Sequence, residues 1–211
     1  VFDDQDSGNI CFGTEKDGER YFVKFAGAPT EAYNGTPEDA IERLKSTLPV
    51  YENLKHKNLI ELVEAKEING GFAMIFKWVD GDCMGRMYSA EHRKFMNLSV
   101  SDRLNVFHDI LDFLDYTNSN GYVAVDFYDG SIMYDAENNK TTICDIDFFR
   151  KQPCINDMGR MWGSSKFQSP EEYKLGADID EITNVYCAGA FAFALFGDYN
   201  RTREEWQLSD G

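Results

Sequence analysis

The chain has 211 residues, 43% of them apolar and 27% charged, which suits one compact unit or two small lobes sharing a cleft. Its net charge of −16 argues against a general binder of nucleic acid or of an anionic membrane, because both demand basic surface. Nucleotides remain open, since they need only a local cation and a metal ion.

In chain order, the acidic start Phe2–Asn9 reads as turn-like, and Ile10–Gly13 as a short strand. A Lys-Asp-Gly turn within Glu15–Glu19 predicts a hairpin into the strand Arg20–Phe25. Ala26–Tyr33 reads as a loop. Thr36-Pro37-Glu38-Asp39 opens a helix, with Thr36 as N-cap, Pro37 at the first helical position and Asp39 three residues after the cap. Ile41, Leu44 and Leu48 keep helical spacing, and Pro49 predicts a break or a second short helix reaching Leu54. Leu59–Lys66 and Phe72–Val79 are predicted strands joined by the turn Asn69-Gly70-Gly71. Asp80-Gly81-Asp82 reads as a linker.

The second half has a different texture. Ser99–Ser119 is an amphipathic helix whose Leu104, Phe107, His108, Leu111 and Leu114 share a face. Strands are expected at Tyr122–Val125, Ile132–Tyr134 and Thr141–Asp145, followed by a loop to about Gln168. Ile182–Phe196 is so apolar that it reads as a helix buried on all sides. The five cysteines, Cys11, Cys83, Cys144, Cys154 and Cys187, are odd in number and widely spaced, with no C-x-x-C pair. They predict reduced thiols in a cytoplasmic protein rather than a zinc site or disulfide framework. No apolar run reaches membrane length and no signal peptide is visible, although the chain begins at Val1.

Six segments, taken in order, carry a resemblance. They are Y-F-V-K ending at Lys24, L-K-H-K-N-L-I from Leu54 to Ile60, and I-F-K-W-V-D-G-D from Ile75 to Asp82. Then come Y-V-A-V-D-F-Y-D-G-S-I-M-Y from Tyr122 to Tyr134, T-I-C-D-I-D-F-F from Thr142 to Phe149, and F-Q-S-P-E-E-Y from Phe167 to Tyr173. Asn184–Gly189 follows at the spacing of the D-V-Y-S-L-G start of a buried central helix. The series resembles the eukaryotic-type protein kinase fold.

That resemblance implies an α+β, bilobal, protein-kinase-like architecture. A small antiparallel-sheet N-terminal lobe with one main helix would span residues 1–79, and a mainly helical C-terminal lobe residues 80–211, with a hinge near 77–82. It implies an ATP-dependent phosphotransferase moving the γ-phosphate of Mg-ATP to a hydroxyl on a protein or a small molecule, with Mn²⁺ able to replace Mg²⁺. No nucleic acid and no membrane partner is expected. Lys24 falls on the lysine that pairs with the α/β-phosphates. Phe76 would guard the back of the nucleotide pocket, backbone groups of Lys77 and Val79 would meet the adenine, and Gly8 would approach phosphate. Asp126 falls on the aspartate that takes the proton of the acceptor hydroxyl. Asp145 would hold the metal, with Ser131 in place of asparagine and Asp147 in place of the D-F-G glycine.

The departures favour a pseudokinase, a nucleotide-binding or scaffolding module, as the alternative. Gly8 alone represents the glycine-rich loop, and Asp3, Asp4 and Asp6 stand near it. Thr47 occupies the usual place of the carboxylate that partners Lys24, leaving Glu42, Glu38 or Glu31 as substitutes. Ala124 and Val125 replace the histidine and arginine of H-R-D. Arg201 and Arg203 are candidates to pair with Glu171.

Overall fold

The computed structural model describes residues 7–30 and 33–197. Asp3, Asp4, Asp6, Glu31, Arg201 and Arg203 lie outside them. The described residues form an α+β fold with antiparallel sheets and four α-helices. The chain divides into two compact units, Val1–Asp80 and Gly81–Gly211.

In the first unit the elements are β1 (Asn9–Lys16), β2 (Glu19–Ala26), α1 (Pro37–Asn53), β3 (Leu62–Ile68) and β4 (Gly71–Lys77). The strands form one antiparallel sheet in the order β1-β2-β4-β3. Two-residue turns close both hairpins. Asp17 and Gly18 have φ of 55° and 80°, and Asn69 and Gly70 have 51° and 77°. Positive φ at both central residues gives the turn whose twist matches the flanking strands.

Helix α1 starts as its sequence requires. Thr36 Oγ1 accepts from the Asp39 amide at 3.1 Å, and Asp39 accepts from the Thr36 amide at 2.9 Å. Thr36→Ala is therefore expected to lower stability by about 1 kcal/mol, read from denaturant midpoints at constant m. The break expected at Pro49 does not occur, for α1 runs unbroken to Asn53. Proline removes one backbone donor near the end of the helix, while its neighbours Thr47, Val50 and Tyr51 are all buried and hold the last turns in place. Thr47 Oγ1 meets Met74 Sδ at 3.4 Å, and the Tyr51 and Phe76 rings meet edge-on at 5.0 Å. The even-numbered residues of β4 thus face the helix.

The second unit contains β5 (Asp82–Cys83), α2 (Ser89–Met96), α3 (Val100–Ser119), β6 (Tyr122–Val123), β7 (Ile132–Asp135), β8 (Lys140–Ile143), β9 (Arg150–Lys151), β10 (Cys154–Ile155), β11 (Asp178–Ile179) and α4 (Glu181–Phe196). Strands β5-β7-β8 form one sheet, β6 pairs with β9, and β10 pairs with β11. The buried face of α3 is Val106, Ile110, Phe113, Leu114 and Thr117. This corrects the expected face, since Leu104 and Leu111 are exposed. Leu114 belongs to both sets, and the true stripe is rotated toward Ile110 and Phe113.

Helix α4 is capped by Asp180, which accepts from the Ile182 amide at 2.9 Å. It is not buried on all sides, because Ile182 and Val185 are 65% and 71% exposed. Its inner face, including Asn184, Cys187 and Phe191, is buried. Phe191 packs against Phe127 and Phe167, with ring centroids 4.9 Å apart in each pair, and Phe113 and Phe149 close the cluster around Phe127. No helix among the described residues is long and apolar enough to cross a membrane.

Candidate functional site

Within the first unit, Lys24 lies in the middle of β2, opposite Cys11 on one side and Met74 on the other. Directly opposed residues share a sheet face, so Lys24 sits on the face that α1 covers, and it is only 7% exposed. An ordinary solvent-facing strand lysine would not be held this way, because burying an ammonium is costly without an anion. The buried face of α1 is Ala40, Leu44, Thr47, Val50 and Tyr51, without a carboxylate. Thr47 does occupy the place facing the centre of the sheet, over Met74, but its hydroxyl donates to the Leu44 carbonyl at 2.9 Å. Glu38 and Glu42 are exposed.

Phe76 is fully buried between Tyr51 and Phe22. The Lys77 amide donates to the Glu61 carbonyl at 3.0 Å, and its ammonium pairs with the Glu61 carboxylate at 2.6 Å. That carboxylate raises the Lys77 pKa above its ordinary value. Val79 is half-buried. Gly8 has φ +75°, and a Cβ there would stand 2.6 Å from the Tyr33 ring. Tyr33 is itself stacked under Arg43, whose guanidinium also donates to the Ser7 carbonyl at 2.6 Å. Packing against Tyr33 therefore accounts for a glycine at position 8 without any ligand.

In the second unit, α4 holds the loop that carries Asp126. Asn184 Oδ1 accepts from the Ala124 amide at 2.8 Å, and its Nδ2 donates to the Tyr122 carbonyl at 3.1 Å. The Cys187 thiol donates to the Phe127 carbonyl at 3.4 Å, and its complete burial pushes its pKa up. Between these ties Asp126 adopts φ 58° and is half-buried. Left-handed backbone is uncommon for a non-glycine residue, though aspartate is among those that reach it. Val125, in place of an arginine, packs with Val123, Met161 and Ile179 in an apolar cluster.

Ser131 and Asp145 are brought together by the β7–β8 pairing. The Ser131 carbonyl accepts from the Cys144 amide at 2.8 Å, one residue before Asp145. Asp145 lies beyond the end of β8, is exposed, and accepts from the Asp147 amide at 3.5 Å. The Ser131 hydroxyl oxygen is buried and has no hydrogen-bond partner, an arrangement that native proteins rarely leave unexplained.

Tyr128 reports on the charges here. Burial is the main cause raising its phenol pKa, and the charges of Asp126, Asp145 and Asp129 add to it in that order. Asp129 is buried and Tyr128 half-buried. Sequence reasoning passed over Tyr128 and Asp129, although both sit between Asp126 and Ser131 in D-F-Y-D-G-S.

Among the described residues no three His, Cys, Asp or Glu side chains gather closely enough to hold a metal ion. The donor set still fits Mg²⁺, which takes hard oxygen ligands, keeps several waters, and is usually bound by one or two carboxylates together with substrate phosphates. Asp145 and Asp147 are such carboxylates, and the orphaned Ser131 oxygen is a further hard donor.

The segment after Asp147 is fixed by side chains in place of long strands. Asn156 Oδ1 accepts from the Met158 and Gly159 amides, and its Nδ2 donates to the Gly159 and Glu171 carbonyls. Glu172 closes a capping box with Ser169. Glu171 accepts from Thr183 Oγ1 at 2.8 Å, so α4 supplies a partner for it.

No family model matches the chain. Calcium-dependent protein kinase 5 of Plasmodium falciparum (isolate 3D7) is 23% identical to it over 161 residues, which are 75% of this chain and 27% of that protein. The chain thus spans about a quarter of its relative's length. This distant similarity hints at a kinase-like relationship.

Proposed function

We propose that the chain is a divergent, protein-kinase-like phosphotransferase that moves the γ-phosphate of ATP to a hydroxyl group on a protein or a small molecule. The observation that carries this reading is the buried, unpartnered Ser131 oxygen, whose residue the β7–β8 pairing sets opposite Cys144, next to Asp145, at the end of the loop that carries Asp126. Phosphoryl transfer asks for a proton acceptor and a metal-binding carboxylate at one place, and on this reading Asp126 and Asp145 take those two roles.

In the reaction, the acceptor oxygen bonds to the γ-phosphorus as the bond to the β–γ bridging oxygen breaks, and ADP leaves. Asp126 orients the acceptor hydroxyl and takes its proton. Lys24 offsets phosphate charge, and most of the acceleration comes from positioning and electrostatics. Asp145, with Ser131 and Asp147, would hold Mg²⁺ or Mn²⁺, which when bound screens the charge of the phosphates. Backbone groups of Lys77 and Val79, backed by Phe76, are the adenine contacts on this reading. The Lys77 amide is already engaged by Glu61, so the Lys77 contact would be its carbonyl.

One observation favours a second reading, a pseudokinase acting as a nucleotide-binding or scaffolding module. The α1 residue that faces the centre of the sheet is the buried Thr47, whose hydroxyl donates to the Leu44 carbonyl.

ATP hydrolysis and autophosphorylation with Mg²⁺ or Mn²⁺ separate the two, alongside thermal shift with nucleotide. An active native chain should be stabilised by about 2–3 kcal/mol at nucleotide concentrations a hundredfold above Kd. Asp145→Asn should reduce its turnover about 10²-fold while leaving the fold intact. Nucleotide binding without turnover would select the pseudokinase reading, and no binding at all would remove both.

A further inference from the structure

Helices α3 and α4 both turn an apolar face to solvent. On α3, Val100, Leu104, Phe107 and Leu111 recur at spacings of four, three and four, so they form one stripe along the helix. Sequence periodicity assigns most of this stripe to the core, yet Val100, Leu104 and Leu111 are exposed. On α4, the exposed Ile182, Val185, Gly189 and Phe196 share the face opposite the buried Cys187 and Phe191.

The two faces are joined. The Phe107 and Phe196 rings meet edge-on with centroids 5.8 Å apart, and Arg103 Nη1 donates to the Leu195 carbonyl at 2.9 Å. The start of α3 therefore lies against the end of α4. The apolar face runs for about 16 Å on α3 and about 21 Å on α4, at about 1.5 Å per residue. Single exposed apolar residues are ordinary, but a continuous apolar face spanning two helices marks an interaction surface.

Two further observations say what covers it. The first is charge. Helix α3 carries Asp102, Asp109, Asp112 and Asp115, and α4 carries Glu181, whereas Arg103, turned toward the Leu195 carbonyl, is the only lysine or arginine in either helix. On a chain of net charge −16, such surroundings repel a second copy and an anionic membrane, and they attract a cationic partner. The second is Gly189. Glycine inside a helix is unfavourable, and a Cβ at this position would meet no neighbouring atom within 4 Å. Packing among the described residues does not call for a glycine here, whereas the close approach of another backbone does.

We propose that the joined outer face of α3 and α4 docks an amphipathic helix of a partner protein, one that carries lysine or arginine beside its apolar stripe. The apolar stripe of the partner lies along the two exposed faces, and its cations meet the carboxylates around them. The inference stands apart from the phosphotransferase reading, since no residue of the candidate site belongs to this face.

Three labelled peptides of about 18 residues, long enough to cover the face as a helix, are titrated into the full chain at physiological ionic strength and followed by fluorescence anisotropy. One has leucine at helical spacing and lysine elsewhere. Another has the same composition scrambled, and the last keeps the leucines but replaces lysine by glutamate. Leu104→Glu and Gly189→Glu interrupt the face on either helix. Each also adds a negative charge, so attraction by net charge alone would grow stronger. Val63→Glu adds the same charge at an exposed position of β3, in the first unit. Thermal melting checks that each variant is folded, and sedimentation velocity gives the oligomeric state.

The native chain and Val63→Glu are expected to bind the leucine–lysine helix at least about tenfold more tightly than the scrambled peptide, and Leu104→Glu and Gly189→Glu to weaken that binding by roughly tenfold. Equal binding of the scrambled peptide, or undiminished binding by both variants, overturns the inference in favour of charge attraction alone. Preference for the glutamate peptide overturns the charge assigned to the partner. A dimer that these substitutions dissociate assigns the face to a second copy, and binding that emerges only after removal of residues 198–211 assigns it to the chain's own end. Either result overturns the inference, as does the absence of any binding.

Discussion

Asp126→Asn is expected to lower ATP turnover about 10³-fold, the loss that follows when a positioned general base is removed, with no measurable change in thermal midpoint. The second half of that expectation comes from the backbone. Asp126 holds φ 58° between two buried neighbours, Val125 and Phe127. Asparagine reaches the left-handed region as readily as aspartate, so the substitution exchanges one carboxylate oxygen for an amide and leaves the loop where it was. Asp126→Ala should lose turnover too, but at an added cost of about 1 kcal/mol, because alanine has no special tolerance of positive φ. Comparing the two by kinetics and denaturant melts separates chemistry from conformation. Undiminished turnover in Asp126→Asn would remove Asp126 from the reaction.

The second large effect is structural. Asn184→Leu should lower the stability of the second unit by about 3 kcal/mol, since two buried backbone groups lose their partners at once and each costs about 1–3 kcal/mol. In a chain of this size that corresponds to a fall of roughly 6–12 °C in Tm. The Ala124 amide and the Tyr122 carbonyl are those groups, and only a side chain with both a donor and an acceptor serves them together. Asn184→Asp keeps the acceptor and loses the donor, so about half of the effect is expected. Amide hydrogen exchange at Ala124 should accelerate in both variants, and unchanged protection there would show that α4 does not hold the loop.

Much of the architecture is legible where one residue type has one physical use. Thr36, Pro37 and Asp39 announce the start of α1, and Asn69-Gly70 announces the β3–β4 turn, because the chemistry of each is local. The stop expected at Pro49 failed because burial of Thr47, Val50 and Tyr51 outweighs one missing donor. Helix α2 went unread for the opposite reason. It has no side-chain N-cap and buries only Phe95, so neither signal marks it. The two-residue strands β9, β10 and β11 are too short to show alternation, and they are set by Asn156, Glu172 and their backbone partners far along the chain. Of the candidate site, Lys24, Asp126, Ser131 and Asp145 are singled out by their order in the sequence. The ties of Asn184 to Ala124 and Tyr122 are not legible, because they join residues about sixty positions apart.

The β3–β4 hairpin has a consequence for which mutations the first unit can absorb. Phe72, Met74 and Phe76 face α1, and Lys77 is exposed at the end of the same strand. Side chains alternate with a period of two, so a slip of one residue inverts every face. Loss of a single residue at the start of β4 would turn Ala73, Ile75 and Lys77 toward the helix in place of Phe72, Met74 and Phe76, and so bring Lys77 beneath Tyr51. Reading-frame-preserving deletions in this strand should therefore be tolerated in pairs and rejected singly, a parity rule that no point substitution in the same stretch would reveal.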